Sequence, residues 1–301
     1  MTKTTKWALG IVGTVFLVFI LFWAAVLFFL FHGGSSDEIY SSGTGGTIAI
    51  VELKEPIVSS ESIVRQFKKY REDNSVKAIV FRVESPGGGV SASQEIYEEV
   101  KKTRDSGKPV VVSMGSVAAS GGYYISLGAS RIVANPGTLT GSIGVISEFL
   151  NFNQLFNKIG IGSTTVKSGK FKDTGSPFRP FSEEDKKYFQ ETIDDVYQQF
   201  LHVVETERKL SPAKAKALAD GRVFTGRKAY ELGLIDTLGT YEDAISIAAD
   251  LAGISGTPRI IKERKKEKLL DVLLGSVTKE IAGLKEEVVN QPILQYKLTQ
   301  P

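Results

Sequence analysis

Pro109-Val-Val-Val-Ser-Met114, and then Val117-Ala-Ala-Ser-Gly-Gly-Tyr-Tyr124, read as a buried strand that turns through small residues into an apolar helix from about Ser120 to Leu127. A short apolar run bounded by Pro on one side and Gly on the other fits a strand covered on both faces. Upstream, Ser91 to Thr103 has helical spacing and Val76 to Val83 is a second apolar strand. Before these lie Glu61 to Tyr70, with Ile63, Val64 and Phe67 on one helical face, and a strand at Thr47 to Leu53. Arg131 to Ala134 adds a further strand downstream. Strands alternating with helices of this length require right-handed crossovers and a mainly parallel sheet, so the class is α/β.

Farther on, Asn151 to Ile159 reads as helical and Ser163 to Lys167 as strand-like. Ser182 opens a long helix to about Lys209, with Glu183 and Glu184 in the first turn, where acidic side chains favour the helix dipole. Short helices start at Pro212 and Thr225, the second stopping at Gly233, and another runs from about Tyr241 to Ala252. From Lys262 to Lys268 the chain is nearly all charged. At the other end, residues 7–31 carry no charge, a span longer than the roughly 20 residues a helix needs to cross a bilayer. Lys3 and Lys6 precede it and Asp37 and Glu38 follow, which puts the amino terminus in the cytoplasm and the rest of the chain outside. The exit, Phe28-Phe-Leu-Phe-His-Gly-Gly34, lacks a small-x-small cleavage signal, so an uncleaved anchor is expected. The chain thus divides into an anchor (1–32), a Gly/Ser-rich linker (33–46), an α/β domain (47–257) and a charged, partly helical tail (258–301).

Composition narrows the chemistry. With 37 basic and 34 acidic residues the net charge is small, and two of the lysines flank the anchor, so nucleic acid is not an expected partner. Absence of cysteine excludes disulfides, thiolate metal sites and a thiol nucleophile. No His-Glu-x-x-His or clustered ligand set occurs, and neither a metal nor a cofactor is expected. Ser120 sits where a strand turns into a helix, a place that exposes a hydroxyl, and the Gly121 amide would aim into the same site. Glu84-Ser-Pro-Gly-Gly-Gly-Val90 lies at the carboxyl end of the preceding strand, where open α/β sheets bind ligands. Its glycines free the backbone to offer amides to an oxyanion, and it matches no phosphate-binding fingerprint. A serine also needs a base. The two histidines are His32, at the membrane exit, and His202, inside the long helix, so a Ser-His-Asp triad is poorly supported. Lysine is the usual substitute when its environment lowers its pKa, and Lys167, Lys170 and Lys172 cluster around Phe171. Residue chemistry alone leaves the choice among the three open.

These segments resemble the signal peptide peptidase A (SppA) family of Ser-Lys peptidases in its short, single-domain bacterial form. The resemblance rests on Ser85-Pro-Gly-Gly-Gly-Val90, Ala118-Ala-Ser-Gly-Gly-Tyr-Tyr124, Thr140-Gly-Ser-Ile-Gly-Val145, Lys167-Ser-Gly-Lys-Phe-Lys-Asp173 and Gly221-Arg-Val-Phe-Thr-Gly-Arg-Lys-Ala229, continuing into Gly233-Leu-Ile-Asp236. It implies a fold like that of ClpP and crotonase, built of repeated ββα units, with Ser120 as nucleophile and Lys172 as base. Ser142 would orient the lysine, and Gly87 and Gly121 would supply oxyanion amides. It further implies a ring-like homo-oligomer, commonly an octamer, in which neighbouring subunits contribute the serine and the lysine. The expected substrates are remnant signal peptides and other apolar peptides. The tail would be regulatory or a bound pseudo-substrate. The alternatives are an acyl-CoA hydratase or hydrolase on the same fold, for which an anchor and a Ser-Lys pair have no evident use, and a catalytically silent membrane scaffold.

Overall fold

A computed structural model describes Trp7 and residues 13–24, 37–263 and 294–298. Contacts divide the chain into an amino-terminal unit, which includes helix α1 (residues 13–24), and a larger unit that carries every candidate site residue. The remainder of the expected anchor lies outside the described residues, and no helix among those described is long and apolar enough to cross a membrane. The side chains of α1 are exposed.

Along the chain come β1 (Asp37–Ser42), β2 (Thr47–Leu53), α2 (Glu61–Glu72), β3 (Val76–Ser85), β4 (Gly87–Gly89), α3 (Val90–Asp105) and β5 (Val110–Ala119). Then follow α4 (Gly121–Ser126), β6 (Arg131–Ala134), β7 (Leu139–Gly141), α5 (Asn153–Lys158) and α6 (Glu183–Arg208). The chain closes with α7 (Pro212–Leu218), β8 (Val223–Thr225), α8 (Gly226–Leu232), β9 (Thr237–Leu238), α9 (Tyr241–Leu251), β10 (Arg259–Glu263) and β11 (Gln295–Lys297). The main sheet runs β1-β10-β2-β3-β5-β6-β9. Every pairing from β10 to β9 along that path is parallel.

Successive side chains of these strands point to opposite faces, and both faces are apolar. Ile48, Ile50, Ala78, Val80, Val111 and Val133 pack under the alanines of α9, Ala244, Ala248 and Ala249. The alternate residues Ala49, Val51, Ile79, Phe81, Val110 and Val112 join Phe67 of α2, Ile96 of α3 and Phe200 of α6 in the larger core. Phe67 and Phe81 meet edge-on, 5.1 Å between centroids.

The helix boundaries follow local chemistry. Ser182 caps α6 by accepting from the Asp185 amide (3.1 Å), and the Asp185 carboxylate accepts from the Ser182 amide (3.0 Å), which satisfies two donors that a helix start leaves open. Thr225 caps α8, and Gly233, at φ 81°, ends it. Three expectations change. Ser163 to Lys167 is irregular rather than a strand. Residues 37–42, read as part of a linker, form edge strand β1. The start of the expected tail is β10, which pairs in parallel with β2 from Arg259↔Thr47 to Lys262↔Ile50. Ile260 and Ile261 are adjacent and bury into opposite faces, as a strand of a sheet covered on both sides requires, and Lys262 pairs with Glu52 at 2.5 Å.

Candidate active site

The carboxyl ends of β3 and β5 deliver two turns to one place. Ser120 follows β5 and caps α4 at φ 53°, ψ −114°. Its amide donates to the Gly141 carbonyl (2.7 Å), and its carbonyl accepts from the Tyr124 amide (2.8 Å). Both sides of the residue are therefore pinned, one by β7 and one by the first turn of α4. Positive φ with a Cβ costs of order 1–3 kcal/mol and persists only where surroundings impose it. The residue is 1 % exposed, and its Oγ has no hydrogen-bond partner among the described residues.

Ser142 comes next to this corner because β7 pairs in parallel with the end of β5, Ala119 opposite Gly141. It too has positive φ, 50°, and its amide donates to the Arg222 carbonyl (2.8 Å). From β3 comes the turn Ser85-Pro86-Gly87. A Cβ on Gly87, whose φ is 103°, would stand 2.8 Å from the Gly121 amide nitrogen, so the two loops touch through a glycine that no other residue could replace without movement. The Gly87 amide donates to Ser85 Oγ (3.2 Å), and Gly87, Gly88 and Gly89 are all in register with a further strand.

That strand is β11. It pairs antiparallel with β4, with Gln295 opposite Gly89, Tyr296 opposite Gly88 and Lys297 opposite Gly87. On its other edge Gln295 and Ile146 exchange backbone hydrogen bonds of 3.0 and 3.1 Å. Beyond the pairing, Leu294 accepts from the Val90 amide (3.3 Å) and Leu298 donates to the Pro86 carbonyl (2.7 Å). The Tyr296 carbonyl oxygen lies 1.9 Å from where a Gly87 Cβ would be and 3.1 Å from a Gly121 Cβ. Its ring is fully buried, stacked on Tyr124 (5.1 Å) and tilted against Phe200 (4.7 Å). The sequence puts these residues in the charged, partly helical tail, for which the resemblance implies a regulatory role or a bound pseudo-substrate. The five described residues have a sequence as ordinary as any loop, and only the groove they enter distinguishes them.

Lys172 lies on the irregular, exposed segment between α5 and α6. Among the described residues no hydrogen bond links it to Ser120 or Ser142. The three clustered lysines do differ, however. The Lys167 ammonium donates to the Lys170 carbonyl (2.9 Å) and to Asp173 (2.6 Å), and Lys170 pairs with Glu184 (2.6 Å). The Lys172 ammonium has no such partner among the described residues. Beside it, Arg179 bridges Asp173 (3.0 Å) and Asp185 (2.5 Å), and Thr174 donates to Asp185 (2.7 Å). Arg179, and then Lys167, hold the Asp173 carboxyl at about 2. Arg179 and Thr174 drive that of Asp185 lower still. This segment exposes Ile159, Ile161, Val166 and Phe171, and α5 and the chain before it expose Leu155 and Leu150. His202 is exposed on α6, and His32 lies outside the described residues.

Comparison with known proteins agrees with this architecture. Residues 102–255 match the model of peptidase family S49, and residues 46–136 match that of Clp protease. A putative protease of Synechocystis is 44% identical over 216 residues, covering 71% of this chain and 78% of that protein. A putative signal peptide peptidase SppA of Enterococcus faecium is 39% identical, covering 71% of this chain and 63% of that protein. Protease 4 of Salmonella typhi is 37% identical over 82% of this chain, which spans only 41% of that longer relative. A chain with a Clp protease-like, mainly parallel α/β domain and these matches belongs to peptidase family S49, with the SppA and Protease 4 peptidases.

Proposed function

We propose that this chain is a membrane-anchored serine endopeptidase in which Ser120 is the nucleophile, Lys172 the general base, and remnant signal peptides and other apolar peptides the substrates. The observation that carries the reading is the buried, unpartnered Ser120 Oγ held at a strained strand-to-helix corner beside the Gly121 amide. A hydroxyl with no competing acceptor or donor is free to give its proton to an arriving base. The Gly121 amide, at the start of α4, stabilises the oxyanion. The second donor is the Gly87 amide, which in this structure donates to Ser85 Oγ (3.2 Å) and turns to the oxyanion when that bond is released.

Lys172 reaches Ser120 from a neighbouring copy of the chain in a ring-like homo-oligomer, and Ser142 holds its ammonium in line. Three features support this. The side chain is exposed and without an ion-pair partner among the described residues, its two lysine neighbours are occupied, and the segment around it displays an apolar surface that a monomer has no use for. Residues 7–31 anchor the protein, and their flanking charges set the catalytic domain outside the cytoplasm.

The test is peptidase activity of the assembled protein on an apolar fluorogenic peptide, for wild type, Ser120→Ala and Lys172→Ala. Both variants fall to background while remaining folded and assembled. Equal mixing of the two inactive variants restores part of the activity, because some contacts then join an intact serine to an intact lysine. Full activity of Lys172→Ala moves the base to Lys170 or Lys167, and an inert wild type favours a silent scaffold.

A further inference from the structure

We propose that Arg179 is a positioning residue for the base: through Asp173 it ties the backbone on the carboxyl side of Lys172 to the buried start of α6, so that the lysine is presented to a neighbouring copy's serine on a rigid mount. The proposal rests on the roles given above to Ser120 and Lys172 and deepens them by naming what holds the lysine in place.

Lys172 lies on a stretch that is neither helix nor strand, and its side chain has no ion-pair partner among the described residues. A base on such a stretch loses rate when its backbone wanders, since a misplacement of about 1 Å costs about 10²-fold. Both of its neighbours, however, are fastened towards α6. On the amino side Phe171 stacks on Tyr188, 5.0 Å between centroids. On the carboxyl side the Asp173 carboxylate accepts from Arg179 Nη2 (3.0 Å) and from the Lys167 ammonium (2.6 Å). Backbone turns join these points: the Lys172 amide donates to the Gly169 carbonyl (3.2 Å), the Thr174 amide to Phe171 (3.2 Å) and the Ser176 amide to Asp173 (3.0 Å).

Arg179 joins this turn to the helix. Its guanidinium reaches Asp185 through both Nη1 (2.5 Å) and Nη2 (3.0 Å), and Nη2 is shared with Asp173. Asp185 is 3 % exposed and also accepts from the Ser182 amide (3.0 Å), the Ser182 hydroxyl (2.7 Å) and the Thr174 hydroxyl (2.7 Å). From there α6 enters the core through Val196, Phe200, Leu201 and Val204. Capping α6 needs only Ser182 and Asp185, so the reach of Arg179 to Asp173 adds nothing to the cap and serves the turn instead. A planar fork of donors lets one side chain hold two carboxylates, which the single ammonium of a lysine does less well. The charges of Lys167, Arg179, Asp173 and Asp185 are thereby spent on one another, and Glu184 takes up Lys170 (2.6 Å). Lys172 is the lysine of this cluster that the mount leaves without an anion among the described residues.

The test is steady-state cleavage of an apolar fluorogenic peptide by the full-length protein in detergent, with assembly followed by mass photometry. Arg179→Gln lowers kcat about 10- to 100-fold, with KM within about twofold and the oligomer retained. Arg179→Lys, which keeps the charge without the fork, recovers at least about threefold of that loss. Mixed oligomers then separate positioning from a general loss of structure. In the mixture of Ser120→Ala with Lys172→Ala, the first chain supplies the lysine and the second the serine. Adding Arg179→Gln to the chain that supplies the lysine lowers the restored activity by the same 10- to 100-fold, and the loss appears only there. A wild-type kcat in Arg179→Gln, or an equal loss whichever chain carries the change, overturns the proposal and leaves the peptidase reading standing. Full activity of Lys172→Ala alone, or a parent mixture that stays inert, overturns both, because no lysine is then presented to a neighbour.

Discussion

Ser120 occupies a backbone conformation that a side chain resists, and the resistance has a measurable consequence. Its φ of 53° and ψ of −114° are held by the bonds to Gly141 and Tyr124. Glycine adopts such angles without penalty, while alanine carries the same Cβ as serine. Ser120→Gly and Ser120→Ala should both be inactive, yet Ser120→Gly should be the more stable by about 1–3 kcal/mol in denaturant unfolding. Equal stability of the two would mean that the corner relaxes when the hydroxyl is gone. At Gly121 the argument runs the other way. An added Cβ would stand 2.8 Å from Ser93 Oγ and 3.1 Å from the Gly87 Cα, so Gly121→Ala has to shift the amide that faces the reacting carbonyl. We expect kcat to drop by roughly 10²–10³-fold, the scale of a lost oxyanion donor, with assembly retained. A normal kcat would remove Gly121 from the site. Ser120 and Gly121 were legible in the sequence because a strand, a small-residue turn and an apolar helix have distinct local patterns. The turn of the Gly87 amide towards Ser85 was not, since it depends on a hydrogen bond 3.2 Å long that no residue pattern encodes.

Among the elements, the two with the plainest end signals are also tied to each other by charge. The α8 helix ends at Gly233 and leads into Asp236, whose carboxylate accepts from the Ile132 amide of β6 (2.7 Å) and from Arg208 at the end of α6 (2.8 Å). Arg208 also donates to the Gly233 carbonyl (2.9 Å). One carboxylate thus joins a strand, a long helix and a loop, and Asp236→Ala leaves an amide and a mostly buried guanidinium short of an acceptor. A loss of about 1–3 kcal/mol in unfolding free energy is expected, with the site residues themselves unaltered. The segment from Asp173 to Asp185 has a different stake, because it frames Lys172. Arg179, and next Lys167, depress the Asp173 carboxyl to about 2. A depressed carboxyl contributes stability above its unfolded value, near 3.9, and that contribution is lost as pH falls through the folded value. Hydrogen exchange of residues 170–181 should therefore stay slow at pH 5 and rise between about pH 4 and pH 2, with the α9 core unchanged. In Arg179→Gln the rise should begin at higher pH. Strands and capped helices were readable here because their signals are local. The irregular path of residues 162–181 was misread at Ser163 to Lys167 because its order comes from ion pairs and from stacked rings such as Phe156 on Phe178 (5.3 Å) and Phe171 on Tyr188 (5.0 Å). Those contacts join residues without any period.

At the scale of the whole molecule, no hydrogen bond among the described residues joins the proposed nucleophile to the proposed base. Ser120 is buried at the end of β5, whereas Lys172 is exposed and lacks an ion-pair partner among the described residues. The chain before Lys172 exposes apolar side chains that include Val166, 95 % exposed, and Leu150, 71 % exposed. A surface of that kind on a peptidase is explained if it is covered by another copy, and the same contact would carry the lysine to the serine. Activity should then depend on protein concentration beyond simple proportionality. On serial dilution of the solubilised enzyme, specific activity should fall together with the oligomer measured by light scattering or mass photometry. Val166→Asp, on the surface proposed to be covered and six residues before Lys172, should shift that midpoint to higher concentration. A specific activity that stays constant down to the monomer would require Lys172, or another base, to reach Ser120 within one chain. That outcome would call for a rearrangement of residues 162–181, because no bond in their present path leads to Ser120.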